Sequence, residues 1–95
     1  MDRPTIRQLN MIAWLVNEQH FYDPTIRRLY ESLPAHNEQY FDLRVDYRIA
    51  ILQERLEKEA TREQASYIIR CLRSEVAHNR QKLIHIFKQL KIINL

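Results

Sequence analysis

The side chains that could hold a metal ion or act in catalysis are few, and their spacing argues against both roles. Cys71, His78 and His85 recur every seven residues and would follow one face of a helix. With a rise of about 1.5 Å per residue, neighbours in this row lie about 10 Å apart, whereas the ligands of one metal ion lie about 2 Å from it. We interpret the row as a polar helix face and predict no metal site. No Ser–His–acid or Cys–His arrangement is recognisable either, so we predict no catalytic residues and no cofactor.

The glutamates and the absence of glycine also argue against an enzyme. Glu54 and Glu57 stand beside Arg55 and Lys58, a pattern typical of surface pairs worth about 0.3 kcal/mol each. The chain contains no glycine. A glycine loop that cradles phosphate is therefore excluded, and a fold rich in tight β-hairpins is disfavoured. The sequence does not predict an enzyme.

Length and composition predict one small folded domain that spans residues 1–95. Of the 95 residues, 45% are hydrophobic and 28% are charged, the balance of an ordinary globular protein. The single cysteine permits no internal disulfide. No apolar run approaches the ~18–20 residues that span a bilayer. Met1–Pro4 contain an acid and no apolar segment, so we expect neither a cleaved secretory leader nor a cleaved organellar presequence.

The punctuation of the sequence predicts an all-α fold of about four helices, the first two of them short. Thr5 and Gln8 have the spacing of a capping box, which opens a helix that runs to about Glu18. Asp23-Pro24 places an acid at the N-cap and proline at the next position, and Leu33-Pro34 ends this second helix. The expected core residues of the first helix are Leu9, Ile12, Ala13 and Val16.

Two long helices are predicted to follow and to pack antiparallel on each other. Asn37 can cap the third, which runs to about Glu59. Its apolar stripe is Phe41, Val45, Ile49, Leu52 and Leu56. Thr61 and Gln64 open the fourth, which is expected to continue past Leu90. Its buried side is expected to contain Ala65, Ile69, Leu72, Val76, Leu83, Phe87 and Leu90. A polar interruption at Asn79-Arg80 indicates a change of packing partner there.

Charge accumulates toward the C-terminus. Residues 1–34 balance at zero and residues 35–64 carry −2, whereas residues 65–95 carry +5. The last helix is therefore basic and amphipathic, with a possible apolar-basic C-terminal extension at 83–95. Such a segment suits a solvated face, nucleic acid, an anionic membrane surface or an acidic partner. Nucleic acid is the less favoured of these, since most of the aromatic residues come before the basic segment.

Trp14, Phe21, Tyr22 and Tyr30 are many large aromatic residues for two short helices. Two interpretations are open. They complete the domain core, which we favour, or they anchor a partner. Because a helical chain this small exposes much apolar surface on its own, association with another protein is expected.

The order of several motifs resembles the small helical subunit of mitochondrial ubiquinol–cytochrome c reductase, the ubiquinol–cytochrome c reductase binding protein family. Phe21 and Asp23 match an acidic-aromatic stretch, and Ile26 to Leu33-Pro34 match an amphipathic segment that ends in Leu-Pro. The motifs that follow are Tyr47-Arg48-Ile49, Arg62-Glu63-Gln64, and Tyr67 with Leu72 and Arg73. The chain departs from the family at Ala50-Ile51-Leu52, where an arginine is usual.

This resemblance implies a non-catalytic subunit that helps to assemble and stabilise respiratory complex III. It would lie peripherally on the matrix side of the mitochondrial inner membrane, against cytochrome b and the core subunits. Contact with anionic lipid is possible, and no small-molecule substrate is expected. The residues expected to contact partners are Leu33, Pro34, Tyr47, Arg48, Arg73, Arg80, Lys82 and Lys88. The alternatives are a small nucleic-acid-binding or regulatory protein that uses the basic last helix, and a self-associating bundle.

Overall fold

The computed structural model describes residues 2–34 and 46–93, which form five α-helices and, within these ranges, no strand. The prediction of an all-α fold is confirmed, and the helix count of about four is one too low. The helices are α1 (Ile6–Gln19), α2 (Pro24–Glu31), α3 (Tyr47–Glu59), α4 (Arg62–Arg73) and α5 (Ala77–Gln89). No helix in the described part of the chain is both long and apolar enough to cross a membrane.

The first two helices begin where their capping residues predict. The Thr5 hydroxyl accepts a hydrogen bond from the Gln8 backbone N–H at 3.1 Å, and the Gln8 side chain accepts one from the Thr5 N–H at 2.9 Å. Asp23 caps α2 by accepting from the N–H groups of Thr25 and Ile26 at 2.9 and 3.2 Å. These bonds satisfy amides that have no partner inside a first helical turn, and this fixes both helix starts.

The third helix ends at Glu59 as predicted and begins at Tyr47. Asp46 is its N-cap and accepts from the N–H groups of Arg48 and Ile49 at 3.0 and 3.2 Å. The predicted cap Asn37, together with Phe41 and Val45 of the predicted stripe, lies outside the described residues. Leu52 and Leu56 of that stripe are fully buried, and Ile49 packs against the core from a half-buried position.

The single long fourth helix was a wrong prediction, because α4 ends at Arg73 and α5 begins three residues after Ser74. The Ser74 hydroxyl accepts from the Val76 backbone N–H at 3.2 Å and from the Asn79 side-chain amide at 2.6 Å. A serine hydroxyl that replaces helical partners in this way favours a helix end over a helix interior. Val76, expected on the buried side, is consequently 59% exposed. Neither glycine nor proline marks the break, so the usual sequence signal is missing.

Helix α1 packs against both α3 and α4, which make no comparable contact with each other. The predicted fourth helix corresponds to α4 and α5 together, and α3 packs closely on neither of them, so the predicted antiparallel packing of the third helix on the fourth is wrong. Against α4, the Gln8 side-chain amide donates to the Ser66 hydroxyl at 2.9 Å, and that of Gln19 donates to the Leu72 carbonyl at 2.7 Å. Early residues meet early ones and late residues meet late ones, so α1 and α4 run parallel.

Against α3, helix α1 runs antiparallel. The Gln53 side-chain amide, midway along α3, donates to the side chain of Asn10 at 3.1 Å. The start of α3 at Asp46 lies beside Asn17, near the end of α1. Helix α1 is thus the central element of the molecule, and its inward side chains supply the middle of the core.

One apolar cluster joins all five helices. The predicted core residues of α1 are confirmed. Ile69 and Leu90 were predicted to be buried, but both are half-buried. On α4 it is Ile68, the neighbour of Ile69, that is buried. The side chains with almost no exposed surface are Ile12, Val16, Ile26, Leu29, Leu52, Leu56, Ile68, Leu72, Leu83, Phe87 and Ile92.

Candidate interaction surface

The side of α1 that faces away from the core carries large apolar side chains. Ile6 is 77% exposed and Trp14 is 59% exposed, and Met11 lies half-buried between them. Together with two polar neighbours these residues line an open depression of about 440 Å³. We call this surface the α1 outer face, and its members are Ile6, Arg7, Asn10, Met11 and Trp14. Exposed Leu or Ile residues are ordinary when single, but apolar side chains grouped around a tryptophan are typical of binding surfaces.

A groove between α1 and α4 continues this face on one side. Its volume is about 270 Å³, and its apolar floor includes Met11 and Ile69. Its lining residues, which we call the α1–α4 groove, are Arg7, Gln8, Met11, Ser66, Ile69 and Arg73. The Gln8–Ser66 hydrogen bond joins the two parallel helices within this groove.

The two arginines of the groove are exposed, and no described carboxylate forms an ion pair with Arg7 or Arg73. The guanidinium of Arg73 instead approaches the Met11 sulfur at 3.5 Å. A thioether is a weak acceptor, so this contact leaves most of the donor capacity of Arg73 unused. The groove therefore combines an apolar floor with positive charge that the described residues do not neutralise.

A second depression, between α1 and α3, lies on the other side of Trp14. Its volume is about 390 Å³, and Trp14 and Ile49 are its larger apolar members. The remaining lining residues are Ala13, Asn17, Asp46, Ala50 and Gln53. Trp14 thus stands on a ridge between two depressions, where a partner would cover it most fully.

Arg80, one of the predicted contact residues, is instead used inside the molecule. Its Nε donates to Asp23 Oδ2 at 3.0 Å, and its Nη1 donates to the Cys71 carbonyl oxygen. The Asp23 and Arg80 side chains are 20% and 15% exposed. Burial by itself raises the pKa of Asp23. The hydrogen bonds from Arg80 and from the Ile26 and Thr25 amides outweigh that effect, and the pKa of Asp23 is lowered from 3.8.

Arg48 also has an internal contact. Its guanidinium lies 5.3 Å from the ring centroid of Tyr30, and the Tyr30 ring stacks on His20 with 4.0 Å between the ring centroids. The Tyr30 hydroxyl donates to Asp46 at 2.7 Å. Burial, then the hydrogen bond to Asp46 and its negative charge, raise the pKa of Tyr30 above 10.0. This cluster joins the end of α1 to α2 and α3, and Arg48 is part of it.

The other predicted contact residues are spread over the molecule. Leu33 is buried in the core, Pro34 is exposed beside it and Tyr47 is half-buried at the start of α3. Lys82 and Lys88 are exposed on α5. Of the eight predicted residues, the structure places Arg73 alone in the α1–α4 groove.

The outer face of α5 is basic. His78, Lys82, His85 and Lys88 are all exposed, and α5 contains no acidic residue. Cys71 is buried on α4, so it does not share this face with the two histidines. Within residues 2–34 and 46–93, no three His, Cys, Asp or Glu side chains stand close enough together to hold a metal ion.

Ile6, Arg7 and Met11 were not among the predicted contact residues, and Trp14 was a partner anchor only in the less favoured of two interpretations. Trp14, Phe21 and Tyr22 were expected to complete the core, and this expectation is wrong, since Phe21 and Tyr22 are about 70% exposed as well. Helical spacing carried a signal for Trp14. At 100° per residue it falls on the same side as Arg7 and away from Ile12 and Val16.

No family model matches the sequence, no curated protein matches it, and no solved structure matches the fold.

Proposed function

We propose that this chain is a non-catalytic accessory protein that binds a larger protein through the α1 outer face. The observation that supports the proposal is the exposure of Trp14 and Ile6 on one side of a helix whose opposite side is the centre of the core. Tryptophan is frequent among the residues that dominate binding energy at protein interfaces. The depressions on both sides of Trp14 would let a partner bury most of its ring.

The specific form of this proposal is a peripheral subunit of the mitochondrial ubiquinol–cytochrome c reductase complex, on the matrix side of the inner membrane. Cytochrome b and the core subunits would be its partners, and stabilising the complex its role. This form rests on the motif resemblance around Leu33-Pro34 and Tyr47-Arg48-Ile49. The exposed Lys82 and Lys88 suit contact with anionic headgroups, worth about 1 kcal/mol for each basic residue near the surface.

The experiment is to release complexes gently from native membranes, wash them with high salt and separate them by size. We expect the wild-type chain to co-migrate with the haem-containing complex after the wash, because apolar burial resists salt. The Trp14→Ala variant should be released, and Phe21→Ala, which removes an even more exposed aromatic residue outside the α1 outer face, should not. Retention of Trp14→Ala in a large complex would contradict the proposed binding face. Co-migration with a different complex would contradict the specific form alone.

A second candidate function is nucleic-acid binding through α5, and the exposed row of Lys82, His85 and Lys88 on a helix without acids favours it. Binding to phosphates weakens steeply with salt because counterions are released on association. If α5 binds nucleic acid, the affinity for duplex DNA or RNA should fall about a hundredfold between 50 and 200 mM salt. Lys82→Gln with Lys88→Gln should reduce the salt slope. Absence of binding at 50 mM salt would exclude this function.

A further inference from the structure

We infer that the α1–α4 groove binds an acidic amphipathic helix of the partner, with carboxylates that pair with Arg7 and Arg73. This inference deepens the proposed function and rests on it. The proposed function names a binding surface only, whereas this inference states the structure and the charge of the partner segment that binds beside it.

The shape of the groove suits a helix. Two parallel helices leave a channel between them, and a third helix can lay an apolar stripe along such a channel. The floor offers Met11 and Ile69 at half-buried positions, and methionine adapts to irregular apolar partners. The groove also shares Arg7 and Met11 with the α1 outer face, so a helix bound there reaches the edge of Trp14.

The charge of the groove selects the chemistry of the occupant. Arg7 and Arg73 are exposed at its margins, and no described carboxylate pairs with either. Arg73 has the Met11 sulfur as its contact, and a carboxylate would be a much stronger acceptor for its forked donors. A second copy of the chain that docked through the same face would bring its own arginines against these two. An acidic partner is therefore favoured over self-association.

The spacing along α4 sets the spacing of the acids. Ser66 and Arg73 line the groove seven residues apart, which corresponds to about 10 Å along the helix axis. Arg7 precedes Gln8, whose side chain bonds to Ser66, so Arg7 lies near the level of Ser66 along the groove. A bound helix that pairs with both Arg7 and Arg73 therefore needs two carboxylates about two turns apart. Apolar side chains between them would lie on Met11 and Ile69. This pattern differs from that of a purely apolar helix and from that of a basic helix.

The test uses the full-length protein and two synthetic helical peptides labelled with a fluorophore. Both carry a leucine stripe; one has two glutamates seven positions apart beside the stripe, and the other has lysines at the same two positions. We expect the glutamate peptide to bind at least about tenfold more tightly by fluorescence anisotropy. Trp14 is the only tryptophan of the chain. Its emission should move to shorter wavelength as the glutamate peptide binds.

A charge reversal checks where the peptide binds. The double variant Arg7→Glu with Arg73→Glu should prefer the lysine peptide. The matched control, Arg28→Glu with Lys91→Glu, makes the same change in net charge at exposed positions on α2 and after α5 and should keep the wild-type preference. Circular dichroism verifies that both double variants are folded. If the first double variant fails to fold, the single variant Arg73→Gln should still lower the affinity for the glutamate peptide and leave the affinity for the lysine peptide unchanged.

Equal affinity for the two peptides, absence of binding by both, or a preference that the Arg7 and Arg73 reversal does not change would overturn the inference. These outcomes are separable from failure of the proposed function. If Trp14→Ala releases the chain from its native complex while the glutamate peptide shows no preference, the partner binds the α1 outer face by other chemistry. If Trp14→Ala is retained in the complex, binding through the α1 outer face, on which the proposed function depends, is contradicted.

Discussion

The Asp23–Arg80 pair and the α1 outer face differ in what surrounds them. The charged pair joins the start of α2 to α5 and, through the Cys71 carbonyl, to the end of α4, with most of its surface covered. The apolar face on α1 leaves Ile6 and Trp14 largely open to water. Charge is thus enclosed in one region and apolar surface is exposed in the other, the reverse of the usual distribution.

The two regions differ in how completely other side chains of the protein surround them. The Asp23 carboxylate and the Arg80 guanidinium are mostly buried and bond to each other, to two amides of α2 and to the Cys71 carbonyl, so the pair serves the fold. On the α1 outer face, Trp14 and Ile6 lack comparable cover among the described residues. A side chain whose surroundings are complete contributes to stability, and one whose surroundings are incomplete is available for binding. The comparison therefore assigns stability to the Asp23–Arg80 region and supports the proposal that the α1 outer face binds a partner.

The largest expected effect contrasts two isoleucines on the two sides of α1. Ile12→Ala removes a fully buried side chain from the core and should lower the free energy of unfolding by about 2–4 kcal/mol. Ile6→Ala makes the same substitution at an exposed position and should change it by less than about 0.5 kcal/mol. Urea unfolding of both variants measures the difference. A loss above about 1.5 kcal/mol for Ile6→Ala would show that the α1 outer face serves the fold.

The next effect concerns the enclosed pair. Arg80→Met keeps much of the side-chain volume but leaves Asp23 without its charged partner and the Cys71 carbonyl without its donor. We expect a loss of about 2–3 kcal/mol at neutral pH, less than for a fully buried pair because some solvent reaches both side chains. Arg28→Met, at an exposed position on α2, is the control and should have little effect. Equal stability of the two variants would show that the pair contributes nothing.

The same two proteins give a pH dependence with a defined sign. Because the pKa of Asp23 is lower in the folded protein than its ordinary value of 3.8, its ionised form stabilises the fold. That contribution is complete above the unfolded pKa and is lost as pH falls through the folded pKa. The stability difference between wild type and Arg80→Met should therefore be constant near neutral pH and shrink below about pH 4. A difference that grows on acidification would contradict the lowered pKa.

Sequence reasoning predicted the parts of the fold that local chemistry determines. Capping residues such as Thr5 and Asp23 fix helix starts because their side chains bond to amides only a few positions away. The break after Arg73 was missed because it depends on Ser74 bonding to Asn79 and on Arg80 reaching Asp23, which is 57 positions away in the chain. Periodicity also could not reveal that α1 would lie between α3 and α4.

The candidate site was harder to predict for a related reason. Arg73, Arg80 and Lys82 look alike in sequence as basic residues near the C-terminus. Their surroundings separate them, since Arg80 is enclosed with Asp23 and Arg73 lies open in the groove. The favoured of the two interpretations of Trp14, that it completes the core, follows from its residue type, although its helical position places it beside Arg7. That interpretation relied on residue type, whereas the position of Trp14 on the helix correctly predicts an exposed side chain.

The smallest expected effect concerns the end of α5, where a lysine adopts a backbone conformation that favours glycine. Lys91 has a φ of 58°, and the N–H of Ile92 bonds to the Phe87 carbonyl at 2.9 Å, the pattern of a helix end that usually contains glycine. Lys91→Gly should raise the free energy of unfolding by about 0.5–1 kcal/mol, because glycine adopts this conformation without a steric penalty. Lys88→Gly, inside the last turn of α5, should instead lower it by about 1 kcal/mol. Thermal unfolding of the two variants should thus shift in opposite directions. A downward shift for both would show that the left-handed turn at Lys91 does not form in solution, and Ile92 would then lose the geometry that buries it against Phe87.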